Sequence, residues 1–201
     1  EGEHTSIASL PNMYDRTIPL YSFSKSYAMT GLRLGYVSIK DSLVRERAKK
    51  ILFYTASNIA SVVQYGGIGA LEGSQSAVEQ CRLELGARRE LFYKGIGEMS
   101  TPVFTGAPPA GAFYAFLRIA PTWRTGPMGS REPSISWRMT EHLIKNARIG
   151  SVPGVDFGVH GEGYVRFCFA RERAELIGAL QSMTALFSKP TSEEVVDFKS
   201  V

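Results

Sequence analysis

The sequence predicts an α/β segment followed by an α+β segment, with one long helix between them. Before residue 74, two short strand patterns precede two helical patterns, whereas strand-like runs and helical patterns alternate beyond residue 100. The stretch between them repeats apolar residues every seven positions, as a buried helix face does. We therefore divide the chain into a first domain (1–85), a second domain (86–187) and a loose tail (188–201).

The first domain opens with two strands around a turn. Residues 17–23 have a strand pattern that Pro19 confines to an edge or an early position. Residues 32–39 have a second strand pattern, and residues 24–30 between them are typical of a turn or a single helical turn.

Three helices are expected next. Asp41 or Ser42 can cap the first of them, and a second helix rich in small residues covers residues 57–71 and ends at Gly73. The third is the long helix, over about residues 74–99. Its apolar stripe consists of Val78, Leu85, Phe92 and Met99.

The second domain begins with two strand-like runs on either side of a loop rich in proline and glycine at 106–111. Ser134 is placed to cap a helix that continues to about Ala147. A strand follows at 164–170, and an amphipathic helix over residues 173–187 closes the domain.

Composition excludes several classes of function. The net charge is +4, and the basic residues are spread along helical patterns beside acidic ones, so a nucleic-acid surface is not expected. Cys81 and Cys168 are too few for a disulfide framework or a zinc site. His4, His142 and His160 have no metal-binding spacing, so we predict no metal.

The same totals favour an ordinary soluble protein. Hydrophobic residues make up 44% and charged residues 21% of the chain. No apolar run is long enough to span a membrane, and no secretory leader is recognisable, so neither a membrane nor a nucleic acid is an expected partner. We expect a reducing, cytoplasmic setting.

The stretch YSFSKSYAMTGLRLGYV, residues 21–37, indicates chemistry. The Lys25 amine can form a Schiff base with a carbonyl. The planar guanidinium of Arg33 matches a phosphate with two parallel hydrogen bonds, and the hydroxyls of Ser22 and Ser24 can donate to the same phosphate. An aldehyde-trapping lysine beside a phosphate cradle is what pyridoxal 5′-phosphate requires.

These residues resemble the cofactor-lysine motif of fold-type I pyridoxal-phosphate enzymes, and more narrowly the class I/II aminotransferases of the aspartate aminotransferase group. Three further segments agree with that family in the expected order. They are PAGAFYAF (109–116), VPGVDFG (152–158) and GYVRFCFA (163–170). The resemblance spans roughly residues 1–187 and identifies the chain as the C-terminal portion of such an enzyme.

The resemblance implies a fold and a set of roles. The first domain would be the C-terminal part of the large aminotransferase domain, a mostly parallel sheet with helices, and the second would be the small α+β domain. Lys25 would be the catalytic Schiff-base lysine, and Ser22, Ser24 and Arg33 would bind the cofactor phosphate. The implied reaction moves an amino group from an L-amino acid to a 2-oxo acid, in a homodimer.

The position of Arg166 in its strand indicates the surroundings of its side chain. Alternation puts Val165, Phe167 and Phe169 on the core face, and Tyr164, Arg166 and Cys168 on the other face. An arginine in so apolar a strand must be paired. By the resemblance it would grip the substrate carboxylate, and the alternative is an ion pair with a structural Asp or Glu.

Phe157 is the second candidate for substrate binding. It either lines the substrate entrance or anchors a loop, and the sequence does not decide between them. Phe113 and Tyr114 fit strand core better than substrate contacts.

Part of the family's site is not recognisable here. The aspartate that pairs with the pyridine nitrogen and the tyrosine that bonds the ring hydroxyl precede the lysine motif in the family. We therefore expect the chain to lack the N-terminal part of the site, and the isolated 201 residues to have little or no transaminase activity.

Two other functions remain open on the same scaffold. One is a pyridoxal-phosphate-dependent lyase or synthase, since the Lys25 chemistry serves both reactions. The other is an aminotransferase-like effector domain of a transcription regulator.

Overall fold

The computed structural model describes residues 2–124 and 134–188 of the chain. The chain divides between Leu83 and Glu84 into two compact units, which we call the first and the second unit. This division lies close to the domain boundary that the sequence predicts at residue 85. The predicted loose tail, 188–201, lies outside the described residues except for Ser188.

The first unit contains two short strands, β1 (Leu20–Ser22) and β2 (Gly35–Val37). They pair antiparallel, with Ser22 opposite Gly35. The mostly parallel sheet expected for this domain is therefore not seen in the described part of the first unit. The strands approach closely at Gly35, where a Cβ atom would lie 2.7 Å from the carbonyl oxygen of Tyr21. Glycine is therefore needed at this position.

Two helices follow, α1 (Ser42–Ala56) and α2 (Ser61–Glu72). Of the two predicted caps, Asp41 has this role, because its carboxylate accepts a hydrogen bond of 2.9 Å from the Val44 amide. Gly73 ends α2, as predicted. The second helix begins four residues later than the sequence pattern indicates.

The long helix α3 (Ser76–Gly97) crosses the division between the units. Its apolar stripe becomes more buried towards its C-terminal end: Val78 and Leu85 are half-buried, and Phe92 is buried. Met99, the last residue of the predicted stripe, lies beyond the end of the helix and is also buried. The hydroxyl of Ser74 accepts a hydrogen bond of 3.2 Å from the Ser76 amide, next to the first turn.

The second unit is built on a four-stranded antiparallel sheet. Its strands are β3 (Phe104–Thr105), β4 (Tyr114–Ile119), β5 (Val152–Pro153) and β6 (Tyr164–Cys168), in the order β3-β4-β6-β5. Three helices belong to it besides α3: α4 (Pro121–Arg124), α5 (Ile135–Ala147) and α6 (Arg173–Ser188).

One hydrophobic core holds the second unit together. Alternate residues of β4 and β6 point into it, and α3, α5 and α6 add apolar side chains. Fully or almost fully buried members include Leu117, Val165, Phe169, Met139, Leu143 and Met183. In the described part of the first unit, Phe23 is the one buried hydrophobic side chain.

The N-terminus of α5 is capped twice. The Ser134 hydroxyl accepts a hydrogen bond of 3.3 Å from the Trp137 amide, as the sequence predicts. The Glu162 carboxylate accepts hydrogen bonds from the Ile135 amide at 2.6 Å and from the Ser134 hydroxyl at 2.7 Å. This carboxylate therefore ties the loop before β6 to the start of α5.

None of the helices that the structure describes combines the length and the apolar character that crossing a bilayer requires.

Candidate functional site

The loop that joins β1 to β2, residues 23–34, holds the predicted lysine and arginine. The Phe23 amide donates to the Leu34 carbonyl at 3.2 Å, which closes the base of the loop. The Met29 amide donates to the Phe23 carbonyl at 3.3 Å, and the Thr30 hydroxyl donates to the Ser24 carbonyl at 2.8 Å. We call this segment the lysine loop.

The four residues predicted to act on the cofactor lie in or beside the lysine loop. Ser22 is the last residue of β1, and its hydroxyl accepts a hydrogen bond of 3.2 Å from the Ser24 amide. Lys25 lies in the turn that follows and is exposed. Arg33 precedes β2 and is also exposed. All four therefore lie on one short segment of the chain.

Arg33 has a left-handed backbone conformation, with φ 54° and ψ 46°. Such a conformation is uncommon for a residue other than glycine and points to a local constraint. The guanidinium donates to the Thr30 carbonyl at 3.0 Å. This bond fixes the side chain against its own loop and leaves further N–H groups for a ligand.

The lysine loop is electropositive. No Asp or Glu occurs between Asp15 and Asp41, while Lys25 and Arg33 both lie in this interval. Among the described residues, Arg33 makes no ion pair with a carboxylate. Two cationic side chains and two hydroxyls on one segment suit an anion such as a phosphate, so these donors fit the phosphate of pyridoxal 5′-phosphate.

Arg166 lies in the middle of β6, in the second unit. The alternation that the sequence predicts is present: Val165 and Phe167 are buried in the core, and Arg166 is half-buried on the opposite face. In the sheet, Arg166 lies opposite Phe116 of the neighbouring strand β4. On its other side it lies opposite Val152 of β5.

Two aromatic rings lie against the Arg166 guanidinium. Its central carbon is 4.3 Å from the centre of the Tyr114 ring and 4.6 Å from the centre of the Phe157 ring. The structure therefore brings the two predicted substrate residues, Arg166 and Phe157, into contact. The Phe157 residue is 53% exposed, so its ring packs on the arginine and faces solvent at the same time.

The sequence left open whether Arg166 pairs with a structural carboxylate. Within residues 2–124 and 134–188 it has no Asp or Glu partner. The ion-pair alternative is therefore unsupported among the residues that the structure describes. As far as residues 2–124 and 134–188 are concerned, the hydrogen-bonding edge of this guanidinium has no carboxylate acceptor.

Sequence reasoning missed the part that Tyr114 plays. Phe113 packs partly buried against the core, as expected. Tyr114 instead lies on the same face of the sheet as Arg166, because its partner in β6 is Cys168. The alternation of β4 shows which of its residues share a face with Tyr114. Only the register between β4 and β6 shows that Arg166 lies on that face too.

Within residues 2–124 and 134–188, no group of three or more His, Cys, Asp or Glu residues is arranged to hold a metal ion. Cys81 and Cys168 are both free thiols and both exposed.

Comparison with known proteins shows which family this sequence belongs to. The sequence model of the family "Aminotransferase class I and II" matches residues 2–182. The chain belongs to this family. The aminotransferase resemblance predicted from the lysine motif and the three later segments is thereby confirmed.

The relatives of this aminotransferase chain are longer than the chain itself. It is 39% identical over 183 residues to the aspartate aminotransferase of Pyrococcus abyssi, and 39% identical over 180 residues to aromatic-amino-acid aminotransferase 2 of Thermococcus litoralis. The matches cover 90% and 89% of this chain. The chain spans 43% of the length of each of these relatives.

Solved structures agree on the fold. The crystal structure of the aromatic aminotransferase from Pyrococcus horikoshii OT3 superimposes with a TM-score of 0.80 at 39% identity. The match covers 92% of this chain and 47% of that one. The predicted α/β aminotransferase fold class is therefore confirmed. The names of these relatives favour neither the lyase nor the transcription-regulator alternative.

Proposed function

We propose that this chain belongs to a pyridoxal-phosphate-dependent aminotransferase and that the whole protein has this activity. It would transfer an amino group from an L-amino acid to a 2-oxo acid. The observation that carries the proposal is that the lysine loop of a class I and II aminotransferase chain holds Lys25, Arg33 and the Ser24 hydroxyl, with the Ser22 hydroxyl directly beside it. The relatives at 39% identity, an aspartate aminotransferase and an aromatic-amino-acid aminotransferase, support the same reaction.

Lys25 is the proposed catalytic residue. Its amine would form the covalent link to the cofactor aldehyde and would later hold and return the proton at its Nζ atom. Lys25 is exposed on its turn, so the side chain has room to reach a ligand and to move between these two tasks.

Ser22, Ser24 and Arg33 are the proposed phosphate ligands. Arg33 would offer two parallel N–H donors, and its bond to the Thr30 carbonyl holds the side chain near the loop before any ligand arrives. When bound, pyridoxal 5′-phosphate supplies an aldehyde and a ring that withdraws electrons from the carbon beside the amino group.

Arg166 is the proposed ligand of the substrate carboxylate, with Phe157 beside it. A half-buried guanidinium that has no carboxylate partner among the described residues gains most from a bidentate ion pair with a ligand. The carboxylate is common to amino acids and 2-oxo acids, so one arginine would serve both halves of the reaction.

The setting belongs to the same proposal. We propose that the whole protein works as a homodimer in the cytoplasm. The free, exposed thiols of Cys81 and Cys168 agree with a reducing compartment.

The experiment that tests the proposal is a titration with pyridoxal 5′-phosphate, followed by borohydride reduction and peptide mapping. It is made on this chain and, in parallel, on the longest polypeptide that contains it. We expect the reduced pyridoxyl adduct to map to Lys25. An adduct on another residue, or none in the longer polypeptide, would show that the proposal is wrong.

A matched pair of variants sharpens this test. Lys25→Ala should abolish the adduct, whereas Lys40→Ala should leave it unchanged. Lys40 is exposed in the same unit and is ion-paired with Asp15, so it controls for the loss of a surface lysine.

A further inference from the structure

The surroundings of Arg166 are unusual for an arginine that makes no ion pair among the described residues. Its guanidinium lies 4.3 Å from the centre of the Tyr114 ring and 4.6 Å from that of Phe157. A cation over an aromatic face is attracted by the electrons of the ring, and arginine adds planar stacking to this attraction. Two such contacts on one side chain restrict where it can point.

The two rings come from separate parts of the second unit. Tyr114 is the first residue of β4 and has Phe113 as its ring neighbour at 4.6 Å. Phe157 ends a short helical turn after β5 and meets the edge of the Phe116 ring at 6.0 Å. The Arg166 side chain is therefore held from β4 and from the loop after β5 at the same time.

Further rings fix this arrangement. Phe116 lies directly across the sheet from Arg166, and its ring stacks on that of Tyr164 with centres 5.1 Å apart and planes 8° from parallel. Two aromatic rings thus lie against the guanidinium, and they can cover its faces but accept none of its N–H hydrogen bonds in the way a carboxylate does. Among the described residues the N–H edge has no carboxylate acceptor, so a ligand can supply one.

We propose that Tyr114 and Phe157 are positioning residues that hold the Arg166 guanidinium so that its N–H edge receives a carboxylate. The inference rests on the proposed function, since the carboxylate is that of the amino acid or the 2-oxo acid. An arginine already fixed by two rings loses less side-chain freedom when the carboxylate binds. Tyr114 acts through its ring, so its hydroxyl is dispensable for this role.

The test uses the 201-residue chain and pyruvate as the probe, a 2-oxo acid with one carboxylate. NMR of arginine Nε–Hε groups follows Arg166 directly, with Arg166→Lys to assign the resonance. Pyruvate should shift the Arg166 resonance, and its uncharged methyl ester should not. Absence of any shift with pyruvate at up to tens of millimolar would overturn the inference.

Substitution of Tyr114 and Phe157 tests whether their rings position the Arg166 guanidinium. Tyr114→Leu and Phe157→Leu should each move the Arg166 resonance in the ligand-free chain, because the ring current is lost. Each should weaken pyruvate binding about 2- to 5-fold, the range expected for one cation–π contact near the surface. Tyr114→Phe keeps the ring and should stay within about twofold of the wild type.

Controls separate this inference from the proposed function. Trp137→Leu removes an exposed ring elsewhere in the second unit and should change neither the Arg166 resonance nor the affinity. If both leucine variants keep the wild-type affinity while Arg166→Gln abolishes binding, the positioning role is wrong and the carboxylate contact stands. If Arg166→Gln binds pyruvate normally, the carboxylate contact itself is wrong.

Discussion

At the scale of single residues, the Glu162 carboxylate caps the N-terminus of α5 although 27 residues separate Glu162 from Ile135. We predict that Glu162→Gln lowers the free energy of unfolding by about 1–2 kcal/mol, the usual effect of a lost N-cap with a charged acceptor. The Ile135 amide and the Ser134 hydroxyl would lose their anionic acceptor. Urea denaturation followed by circular dichroism measures this change.

The control for this prediction is Glu98→Gln. Glu98 is exposed, and its carboxylate lies 3.7 Å from the Lys94 ammonium one helical turn away, a geometry that contributes little. Its free energy of unfolding should stay within about 0.5 kcal/mol of the wild type. Equal effects of the two substitutions would contradict the capping role of Glu162.

The Glu84 carboxyl group should make the stability of the fold depend on pH. Hydrogen bonds from Arg173, and then from Arg88, lower the pKa of the Glu84 carboxyl from 4.5 to about 2. Because the folded pKa is the lower one, the carboxylate stabilises the fold above pH 4.5, and this contribution is lost as the pH falls from 4.5 to about 2.

Glu84→Gln should therefore flatten the loss of stability over that pH interval. Urea midpoints of the wild type and the variant, measured at several pH values, should differ at pH 6 and converge towards pH 2. Midpoints that stay equally far apart down to pH 2 would show that titration of Glu84 does not contribute.

Residues whose role depends on near neighbours in sequence were predictable. The caps Asp41 and Ser134 fall where the helical patterns begin, and the lysine motif is contiguous. Tyr114 and Glu162 were not found, because each acts on a residue brought close by strand register or by a loop. Sequence spacing does not contain that information.

At the scale of elements, the backbones of two short helical turns in the loop before β6 are in close contact. A Cβ atom on Gly161 would lie 1.9 Å from the Gly154 carbonyl oxygen, and one on Gly154 would lie 2.3 Å from the Gly161 oxygen. We predict that Gly161→Ala lowers the free energy of unfolding by about 1–3 kcal/mol, since two backbone segments must separate. Thermal and urea unfolding measure it.

Gly178 provides the matched control. It lies exposed inside α6, and nothing surrounds the space that a Cβ atom would take. Gly178→Ala should raise the stability by about 0.5–1 kcal/mol, because alanine loses less conformational freedom than glycine on entering a helix. A loss of stability in both variants would mean that the contact between Gly154 and Gly161 is not the cause.

Helices were predicted better than strands. The last helix, the helix after Ser134 and the long helix all lie within a few residues of their predicted bounds. Strands β1 and β2 cover three residues each, fewer than the patterns at 17–23 and 32–39 indicate. Strand ends depend on where a partner strand stops, and β5 was missed because Val152 and Pro153 form a strand only beside β6.

At the scale of the whole molecule, the two units differ in how much apolar surface each buries by itself. The second unit has a continuous core, whereas the described part of the first unit buries one hydrophobic side chain, that of Phe23. Exposed apolar side chains of the first unit include Leu20, Ile51, Phe53, Val62 and Tyr65. Burial of apolar surface is the main driving force of folding.

We predict that a polypeptide of residues 76–188 folds by itself and that one of residues 2–75 does not. The first should give a cooperative urea transition and dispersed amide resonances. The second should lack both, because it buries too little apolar surface to offset its conformational entropy. A cooperative transition in residues 2–75 would contradict this account.

The sequence predicted the family, because the lysine motif and the three later segments are contiguous runs of residues. It did not predict the imbalance between the two cores. Amphipathic patterns show which side chains favour burial, but they do not show whether the chain itself supplies the surface that buries them.

The helix α3 joins residues of both units in one continuous run of backbone hydrogen bonds, from half-buried Val78 to buried Phe92. Amide protons exchange with solvent at rates set by the free energy of the local opening that exposes them. A single helix should thus report two opening reactions. Deuterium should enter the first two turns early and the turns around Phe92 late, and the position where the rate changes would locate the boundary between the units in solution.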